Sequence, residues 1–340
     1  MKRLLGMLAL MLCLTSSMYA QTVSGEWGGT VQVRMGYSPH VASSDEALNL
    51  DARRIRARGK VRAGERWTLF AQAEGAHFDL RMLDLRLTYH ISEHLALQAG
   101  RMVVAQPAAY ATTTHFTIDA LERPGSTRAW AKGSFSSDGR DTGVQALWQR
   151  DGTTARIAWH QGLGRWRDAW SDLPGQLSFA IRHQLAPEAD WDIGLYASQR
   201  LYGLQTDATG GQWGKAWAAH LYWGALPGSQ PMRFKLDVLG AQSLSATTLG
   251  QMRGVSVLGA RSIGRALEWF GRGERIVRET NAGHNLPSQF LATTGLSLSP
   301  SAWRGGAFSR ERLTLSWECE YTDDNGWNGH VLVLQAQWVF

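Results

Sequence analysis

The chain has 340 residues, of which 44% are hydrophobic and 19% charged, and its formal net charge is +6 at pH 7. This composition is too apolar for a disordered chain, and the length is far beyond that of a mini-protein. Mean hydropathy is −0.25, and after the N-terminus no apolar run approaches the ~20 residues of a spanning helix, which excludes a helical membrane protein. Sixteen tryptophans are nevertheless unusual on so weakly charged a chain.

Residues 1–20 have the pattern of a secretory signal peptide. Lys2 and Arg3 precede an apolar run at 4–14, and small residues follow before Ala20, after which we expect cleavage. Cleavage removes two of the six net positive charges and leaves Cys319 as the single thiol, so no internal disulfide can form. The sequence therefore predicts an exported protein whose mature domain is residues 21–340.

The mature chain repeats one pattern, in which apolar and polar residues alternate for eight to twelve positions before a turn. Val31, Val33 and Met35, for example, alternate with Gln32 and Arg34. A period of two predicts strands with one apolar face, and no segment shows a convincing helical period. About sixteen such segments lie near 30–37, 47–62, 66–76, 79–90, 93–102, 141–149, 153–161, 175–185, 190–199, 214–224, 231–241, 252–261, 266–274, 289–299, 310–321 and 329–340.

Two architectures accommodate so many strands in an exported chain, a soluble sandwich or propeller and a transmembrane barrel. Charges on the polar face favour the barrel, because they suit a water-filled interior. Aromatic residues also recur near strand ends, where membrane barrels carry aromatic girdles: Trp67, Tyr89, Trp148, Trp191, Trp223 and Trp269. The sequence therefore predicts an all-β, transmembrane antiparallel β-barrel of about sixteen strands in the bacterial outer membrane.

The most informative strand is the basic segment 51–62. Its apolar residues must face lipid, because an arginine at the bilayer midplane costs ~2–4 kcal/mol. Five cations then point into the lumen about 6.6 Å apart. They are Arg54, Arg56, Arg58, Lys60 and Arg62, and we call them the basic ladder. A column of like charges in a confined channel concentrates anions, so the ladder predicts pore-lining, anion-binding residues.

Further cations have the same inward parity on other strands: Arg34, Arg86, Arg156, Arg182, Arg233 and Lys235. Three interpretations of the ladder stay open. Its side chains select anions in the lumen, they form structural ion pairs with Glu74 and Asp84 on the next strands, or, after a register slip, they bind lipopolysaccharide phosphates.

Residues 103–140 form the longest stretch without alternation. A connection of this length in a compact domain is usually functional or disordered. It either folds into the barrel and narrows the pore or lies outside as an extracellular loop. In the first case Arg123, Arg128 and Lys132 are the cations that it carries to the constriction.

The last strand alternates through Leu332, Leu334, Ala336 and Trp338 and ends on Phe340. This ending resembles the C-terminal signal of bacterial outer-membrane proteins, whose terminal aromatic residue is read by the assembly machinery. The resemblance implies that machinery as a partner through Phe340, with outer-membrane lipids and lipopolysaccharide around the barrel.

Five segments together are similar to the first third of the phosphate-selective porin O and P family: the basic run at 53–60, the strand from Trp67 to Glu74, the strand at 95–101, Leu121-Glu-Arg123, and Gly139-Arg-Asp-Thr-Gly-Val-Gln145. The resemblance covers residues 50–160 and is looser afterwards. It implies a sixteen-stranded, usually trimeric channel in which Arg54, Arg56, Arg58 and Lys60 lead to an anion-binding constriction. The family draws on a lysine cluster for phosphate, whereas this chain has only five lysines.

Motifs for nucleotides, zinc or a nucleophilic serine are missing from the sequence, and His90 and His94 lie at a turn. We therefore expect no cofactor, no metal, no enzyme activity and no nucleic-acid partner. Because catalytic residues on separate strands leave no linear motif, His160, Ser178, His220 and Asp192 keep a barrel-borne enzyme open as the alternative, beside a plugged surface-binding scaffold. The leading hypothesis is an outer-membrane porin, a homotrimer that passes small anions such as phosphate.

Overall fold

The structure, a computed structural model, describes residues 23–38, 48–76, 79–111, 117–134, 139–162, 175–186, 190–201, 213–243, 249–280 and 283–340. The predicted signal peptide lies outside the described residues. Sixteen antiparallel strands form one closed barrel, as the alternating sequence predicts. In chain order, β1 to β16 are Val23–Tyr37, Leu48–Ala63, Trp67–Ala76, Asp79–His90, Leu95–Val103, Arg140–Arg150, Thr153–His160, Gln176–Ala186, Trp191–Arg200, Trp213–Trp223, Met232–Ser243, Leu249–Ser262, Leu267–Thr280, Asn285–Leu298, Glu311–Thr322 and Gly326–Val339.

Each strand pairs with its neighbours in sequence, and β16 closes the barrel on β1. Thr30 to Tyr37 of β1 lie opposite Val339 to Leu332 of β16. Phe340 continues this pairing, since its N–H donates to the carbonyl of Gly29 at 3.1 Å and its carbonyl accepts from Gly29 N–H at 2.8 Å. Closure leaves no sheet edge, which is the condition for a β-structure to cross a bilayer.

The apolar side of each strand faces outward and the polar side faces inward. In β2, Ile55 is 49% exposed, whereas its neighbours Arg54 and Arg56 are 7% and 8% exposed. An aromatic belt follows the end of the barrel where β2–β3, β6–β7 and β12–β13 are joined by short turns, with Trp67 lying 4.7 Å from Tyr89 and Trp191 stacked 6.1 Å from Trp223. An apolar exterior with such a belt places the barrel in the bacterial outer membrane.

Three short helices interrupt the strands: α1 (Ala108–Ala111), α2 (Gly125–Ser134) and α3 (Pro300–Trp303). None of the helices in the described part of the chain is long and apolar enough to cross a membrane. The sequence pattern did not predict α2. With only ten residues and two glycines it has little intrinsic helical stability, so its packing against the barrel must stabilise it.

The connection between β5 and β6, residues 104–139, lies inside the barrel wherever it is described, and we call it the inner loop. Trp130 and Ala131 of α2 are fully buried in an apolar cluster with inward-facing wall residues of β5, β7 and β9–β13. The wall members of this cluster are Met102, Ala158, Tyr196, Ala216, Ala218, Leu239, Ala241, Met252 and Ile276. A second cluster packs Ala120 of the loop against Leu258, Ala260 and Phe270. Burial of this apolar surface, rather than a local motif, holds the loop inside.

Candidate functional site

The basic ladder lies on the inner face of β2. The carboxylates that pair with its side chains determine how much of its positive charge is left unneutralised. On one side, Arg54 Nη1 donates a hydrogen bond to Gln32 Oε1 at 2.9 Å. On the other side, Arg54 Nη2 lies 3.9 Å from Glu122 Oε2 of the inner loop. The end of the ladder at Arg54, which we call the upper ladder, therefore contacts the inner loop directly.

Glu122 forms ion pairs with two further guanidinium groups. Arg34 Nη1 lies 2.9 Å and Arg53 Nη2 lies 2.8 Å from Glu122 Oε1. Burial alone would raise the pKa of Glu122, but Arg54, Arg53 and Arg34 outweigh it and hold this pKa at about 2. Three guanidinium groups thus share one carboxylate, which leaves excess positive charge where the loop meets the wall.

Sequence parity missed Arg53, because it places this residue on the lipid side of β2. In the structure the register between β1 and β2 shifts between Gln32 and Arg34, whose partners are Arg54 and Asp51. Two residues of β2 therefore stand opposite one residue of β1, which is a β-bulge. The bulge lets Arg53 reach Glu122 together with Arg54.

The next ladder residue, Arg56, forms a buried ion pair with Glu74 of β3 at 2.6 Å. Arg81 of β4 binds the other oxygen of the same carboxylate. Glu74 is therefore the neutralising partner that parity predicts. Asp84 is not, since it pairs instead with Arg140 of β6 at 2.8 Å.

Toward the short-turn end the ladder opens to water. Arg58 extends across β1 over Gly28, where an added Cβ would lie 3.1 Å from its Nε. Lys60 lies 3.5 Å and Arg62 4.0 Å from the exposed carboxylate of Glu26. These long, solvated contacts neutralise little charge.

The remaining predicted cations occupy different places. Arg86 lies over the ring of Phe70, 5.1 Å from its centroid. Arg123 Nε donates to the carbonyl of Ala109 at 3.1 Å and so ties two parts of the inner loop together. Arg128 is exposed on α2, and the Lys132 side chain lies outside the described part of the structure.

The opposite side of the lumen, formed by the inner faces of β10–β13, carries the inner loop, and we call it the loop-covered wall. Asp119 of the loop lies 2.5 Å from Arg233 and 2.6 Å from Lys235 of β11. Burial would raise the pKa of Asp119, but these two cations hold it well below its ordinary value. Glu268 gives Arg233 a second carboxylate at 2.7 Å.

Polar contacts also hold α2 against the loop-covered wall. The backbone N–H of Ser126 donates to Glu274 at 3.1 Å, and Trp130 Nε1 donates to the carbonyl of Gly240 at 3.3 Å. Since Asp119 is bound to β11 and Glu122 to β1 and β2, the segment between them bridges the lumen. The inner loop therefore narrows the channel and places its constriction beside the upper ladder.

Two pairs of the residues considered for catalysis are brought together. His160 Nε2 lies 2.6 Å from Ser178 Oγ, and His160 Nδ1 lies 2.6 Å from Asp141, in the order of a Ser-His-Asp triad. All three side chains are buried, with Ser178 only 1% exposed. His220 lies 3.2 Å from Asp192, which also pairs with Arg182.

Within the described ranges no group of three or more histidine, cysteine or acidic side chains is arranged to hold a metal ion. His90 contacts Thr68 at 3.3 Å, and His94 pairs with the exposed Glu93 at 3.1 Å. The two histidines therefore have separate partners.

No protein-family model matches the chain. No curated protein matches it in sequence either. Solved structures of porins and other outer-membrane proteins match its fold over nearly the whole length.

OmpT, an outer membrane protein of Vibrio cholerae, has a TM-score of 0.66 at 11% identity, covering 95% of this chain and 99% of its own. It is also solved in a trimer form. An anion-selective porin from Comamonas acidovorans has a TM-score of 0.66 at 12% identity, covering 94% and 100%. The outer membrane channel DcaP of Acinetobacter baumannii has a TM-score of 0.61 at 14% identity, covering 94% and 97%. The chain has the porin fold.

Proposed function

We propose that the protein is a porin with a water-filled lumen that admits small solutes by diffusion and favours anions. The observation that carries this proposal is the sharing of Glu122 by Arg34, Arg53 and Arg54 at the point where the inner loop meets the wall. A residual positive charge in a narrow, low-dielectric passage raises the local anion concentration. The anion-selective porin with the same fold is consistent with this proposal.

The test is the reversal potential of the purified barrel in planar bilayers across a potassium chloride gradient. The proposal expects anion preference, and cation preference or an absence of conductance would contradict it. In R54Q/R56Q/R58Q, anion preference should fall, because three ladder charges are removed. Arg310→Gln, at an exposed position, is the matched control. An unchanged reversal potential in the triple variant would assign the ladder a structural role.

The solutes that we propose are small inorganic and organic anions, with phosphate among them. Competition separates these solutes, since an anion that binds in the lumen lowers chloride conductance in proportion to its occupancy. Phosphate and sulfate at equal ionic strength are the direct comparison. If phosphate blocks chloride no more strongly than sulfate does, phosphate selectivity is wrong for this channel.

We propose a homotrimer embedded in outer-membrane lipid and lipopolysaccharide, with Phe340 as the contact for the assembly machinery. An apolar concavity on the outer face of β3–β8 supports an interface between copies. It is lined by Trp67, Leu87, Leu97, Val144, Ile157 and Trp159, among others. Native mass spectrometry of the detergent-solubilised barrel measures the oligomer directly, and a monomeric mass would contradict this part of the proposal.

We also propose that the chain is not an enzyme and that Asp141, His160 and Ser178 tie β6, β7 and β8 together. Full burial of Ser178 leaves a substrate no approach to its hydroxyl. A fluorophosphonate probe, which labels activated serines, should leave the barrel unmodified. Labelling that disappears in Ser178→Ala would instead favour a hydrolase.

A further inference from the structure

A recess of about 160 Å³ opens from the lumen between the inner loop and the short-turn end of the barrel. Gln106, Pro107 and Ala108 of the inner loop cover it, and the inner faces of β6–β11 form its wall. One water molecule needs roughly 10–15 Å³ of such volume, so the recess has space for about ten non-hydrogen atoms. It lies away from the ladder on β2, so it is a separate place in the lumen.

Arg156 of β7 lines this recess and has no carboxylate within ion-pair distance among the described residues. The charged groups that act most strongly on it are Arg86 and Arg182, both cations. Arg182, unlike Arg156, has a carboxylate partner, because its Nη2 lies 2.5 Å from Asp192. Arg156 is therefore a half-buried guanidinium group that lines the cavity and forms no ion pair with a carboxylate of the described residues.

Apolar side chains continue directly from Arg156 around the wall. In the strand register Arg156 stands between Leu147 of β6 and Ala180 of β8. Ala180 is paired with Tyr196 of β9, which is paired with Ala218 of β10. Tyr196 and Ala218 are covered by the cluster around Trp130, so the apolar surface left open beside Arg156 is that of Leu147 and Ala180, which we call the shelf.

The adjacent row limits the charge of an occupant. Asp237 also lines the recess, and Asp192 lies behind Arg182 and His220. A single negative charge on an occupant would give Arg156 its missing partner. A multiply charged anion would also face Asp237, which disfavours it by like-charge repulsion.

We propose that this recess binds a small organic monocarboxylate, with its carboxylate on Arg156 and its apolar body against Leu147 and Ala180, the half-buried apolar residues that flank Arg156. An arginine fork binds a carboxylate through two parallel hydrogen bonds, which adds geometric specificity to charge. The lumen then holds a saturable site for organic anions in addition to the ladder. This inference rests on the proposed channel function only in that the solute reaches the recess through the lumen.

Isothermal titration calorimetry of the full barrel in detergent tests the site with benzoate as the probe, since benzoate joins one carboxylate to an apolar ring. Benzoate should bind saturably. Phosphate, which lacks the apolar part, and benzylammonium, which has the opposite charge, should bind at least about tenfold more weakly. Arg156→Gln should weaken benzoate binding by about tenfold or more. Arg150→Gln, which changes an exposed residue on β6 paired with Asp151, is the matched control and should bind as the unmodified protein does.

Ala180→Leu keeps Arg156 and fills the shelf, so it should also lose benzoate binding, and heat-modifiable gel mobility verifies that each variant is a folded barrel. Equal binding of benzoate by Arg156→Gln and the unmodified barrel, or binding of benzoate no tighter than phosphate, overturns the proposal. Bilayer conductance distinguishes failure of the proposed benzoate site from failure of the proposed channel function. Anion-selective conductance without benzoate binding would contradict the proposed site in the recess and support the proposed channel. Saturable benzoate binding in a non-conducting barrel would support the site and contradict the channel.

Discussion

The two sides of the lumen are built by the same alternation of inward and outward side chains, yet they balance charge differently. On the inner faces of β1–β4, which we call the basic wall, Arg34, Arg53 and Arg54 share Glu122. In the same wall Arg56 and Arg81 share Glu74. Guanidinium groups that share carboxylates leave a net positive surface facing the channel.

On the loop-covered wall three described cations are balanced in number by three carboxylates. Asp119 lies within 3 Å of both Arg233 and Lys235, Glu268 lies 2.7 Å from Arg233, and Arg272 lies 2.8 Å from Glu274. The same side carries the apolar cluster around Trp130. The contrast indicates that charge balance accompanies structural packing, because a buried unpaired charge is costly, whereas charge excess is retained only where water and solute are present.

Of the changes that test this difference between the two walls, Trp130→Ala should have the largest effect on the stability of the inner loop. It removes the fully buried centre of the apolar cluster. Large-to-small changes at such sites cost about 3–5 kcal/mol. Hydrogen exchange of the α2 amides should show local opening easier by that amount. The matched control, Trp303→Ala, removes a side chain that is 76% exposed and should leave α2 unchanged. Unaltered α2 protection in Trp130→Ala would mean that packing does not hold the loop.

Asp119→Asn should have the next largest effect, since it removes the carboxylate that Arg233 and Lys235 share. Loss of one partner of a buried pair costs about 3 kcal/mol. The bridging segment should detach from β11, and single-channel conductance should rise. Asp151→Asn, at an exposed turn, is the control. A conductance equal to that of the unmodified channel would show that the bridge does not narrow the pore.

Glu122→Gln should change selectivity more than structure. It removes the carboxylate shared by three guanidinium groups, while the backbone carbonyl of Glu122 still accepts from Arg272 at 2.7 Å. The ratio of anion to cation permeability should rise about threefold, since an uncompensated charge in a cleft concentrates counter-ions. Reversal potentials measure this ratio, with Glu93→Gln, on an exposed turn, as the control. A fall in anion preference would contradict the assigned role of the basic wall.

Mild acid should have the smallest effect. The pKa of Glu122 is held at about 2, well below 4.5, so its ion pairs contribute stability that is present above pH 4.5 and is lost as pH falls through about 2. The lowered pKa of Asp119 acts in the same direction. The difference in single-channel conductance between the unmodified channel and Glu122→Gln, measured at fixed salt, should therefore be equal at pH 7 and pH 5 and change only near pH 2–3. A transition near pH 4.5 would show that these pairs are not formed.

Several features of the site were predictable because they follow from parity within one strand. Arg54 and Arg56 point inward because Ile55 between them must face lipid, and Glu74 meets Arg56 because the two stand opposite in neighbouring strands. The aromatic belt also followed from strand ends. Arg53 escaped this reasoning, since a bulge interrupts the period of two that the reasoning requires.

The inner loop was less predictable, and its two interpretations stayed open in the sequence. One signal was nonetheless present: small and apolar residues at inward positions, such as Ala158, Ala216, Ala218 and Leu239, are unexpected in a wall that faces only water. They mark the surface that something inside the barrel must cover. The sequence alone does not show that α2 is the covering element.

The sequence by itself determined the strands, their inward and outward faces and the closed barrel, because lipid outside and water inside impose a local period on every strand. Only the tertiary structure decided which cations remain in excess. Glu122 reaches Arg34 across 88 positions of sequence and Arg233 reaches Asp119 across 114, and no local pattern encodes pairs at such separations. The positive charges of the ladder come from the sequence of one strand, but the net charge that remains after ion pairing depends on where a distant loop places its carboxylates.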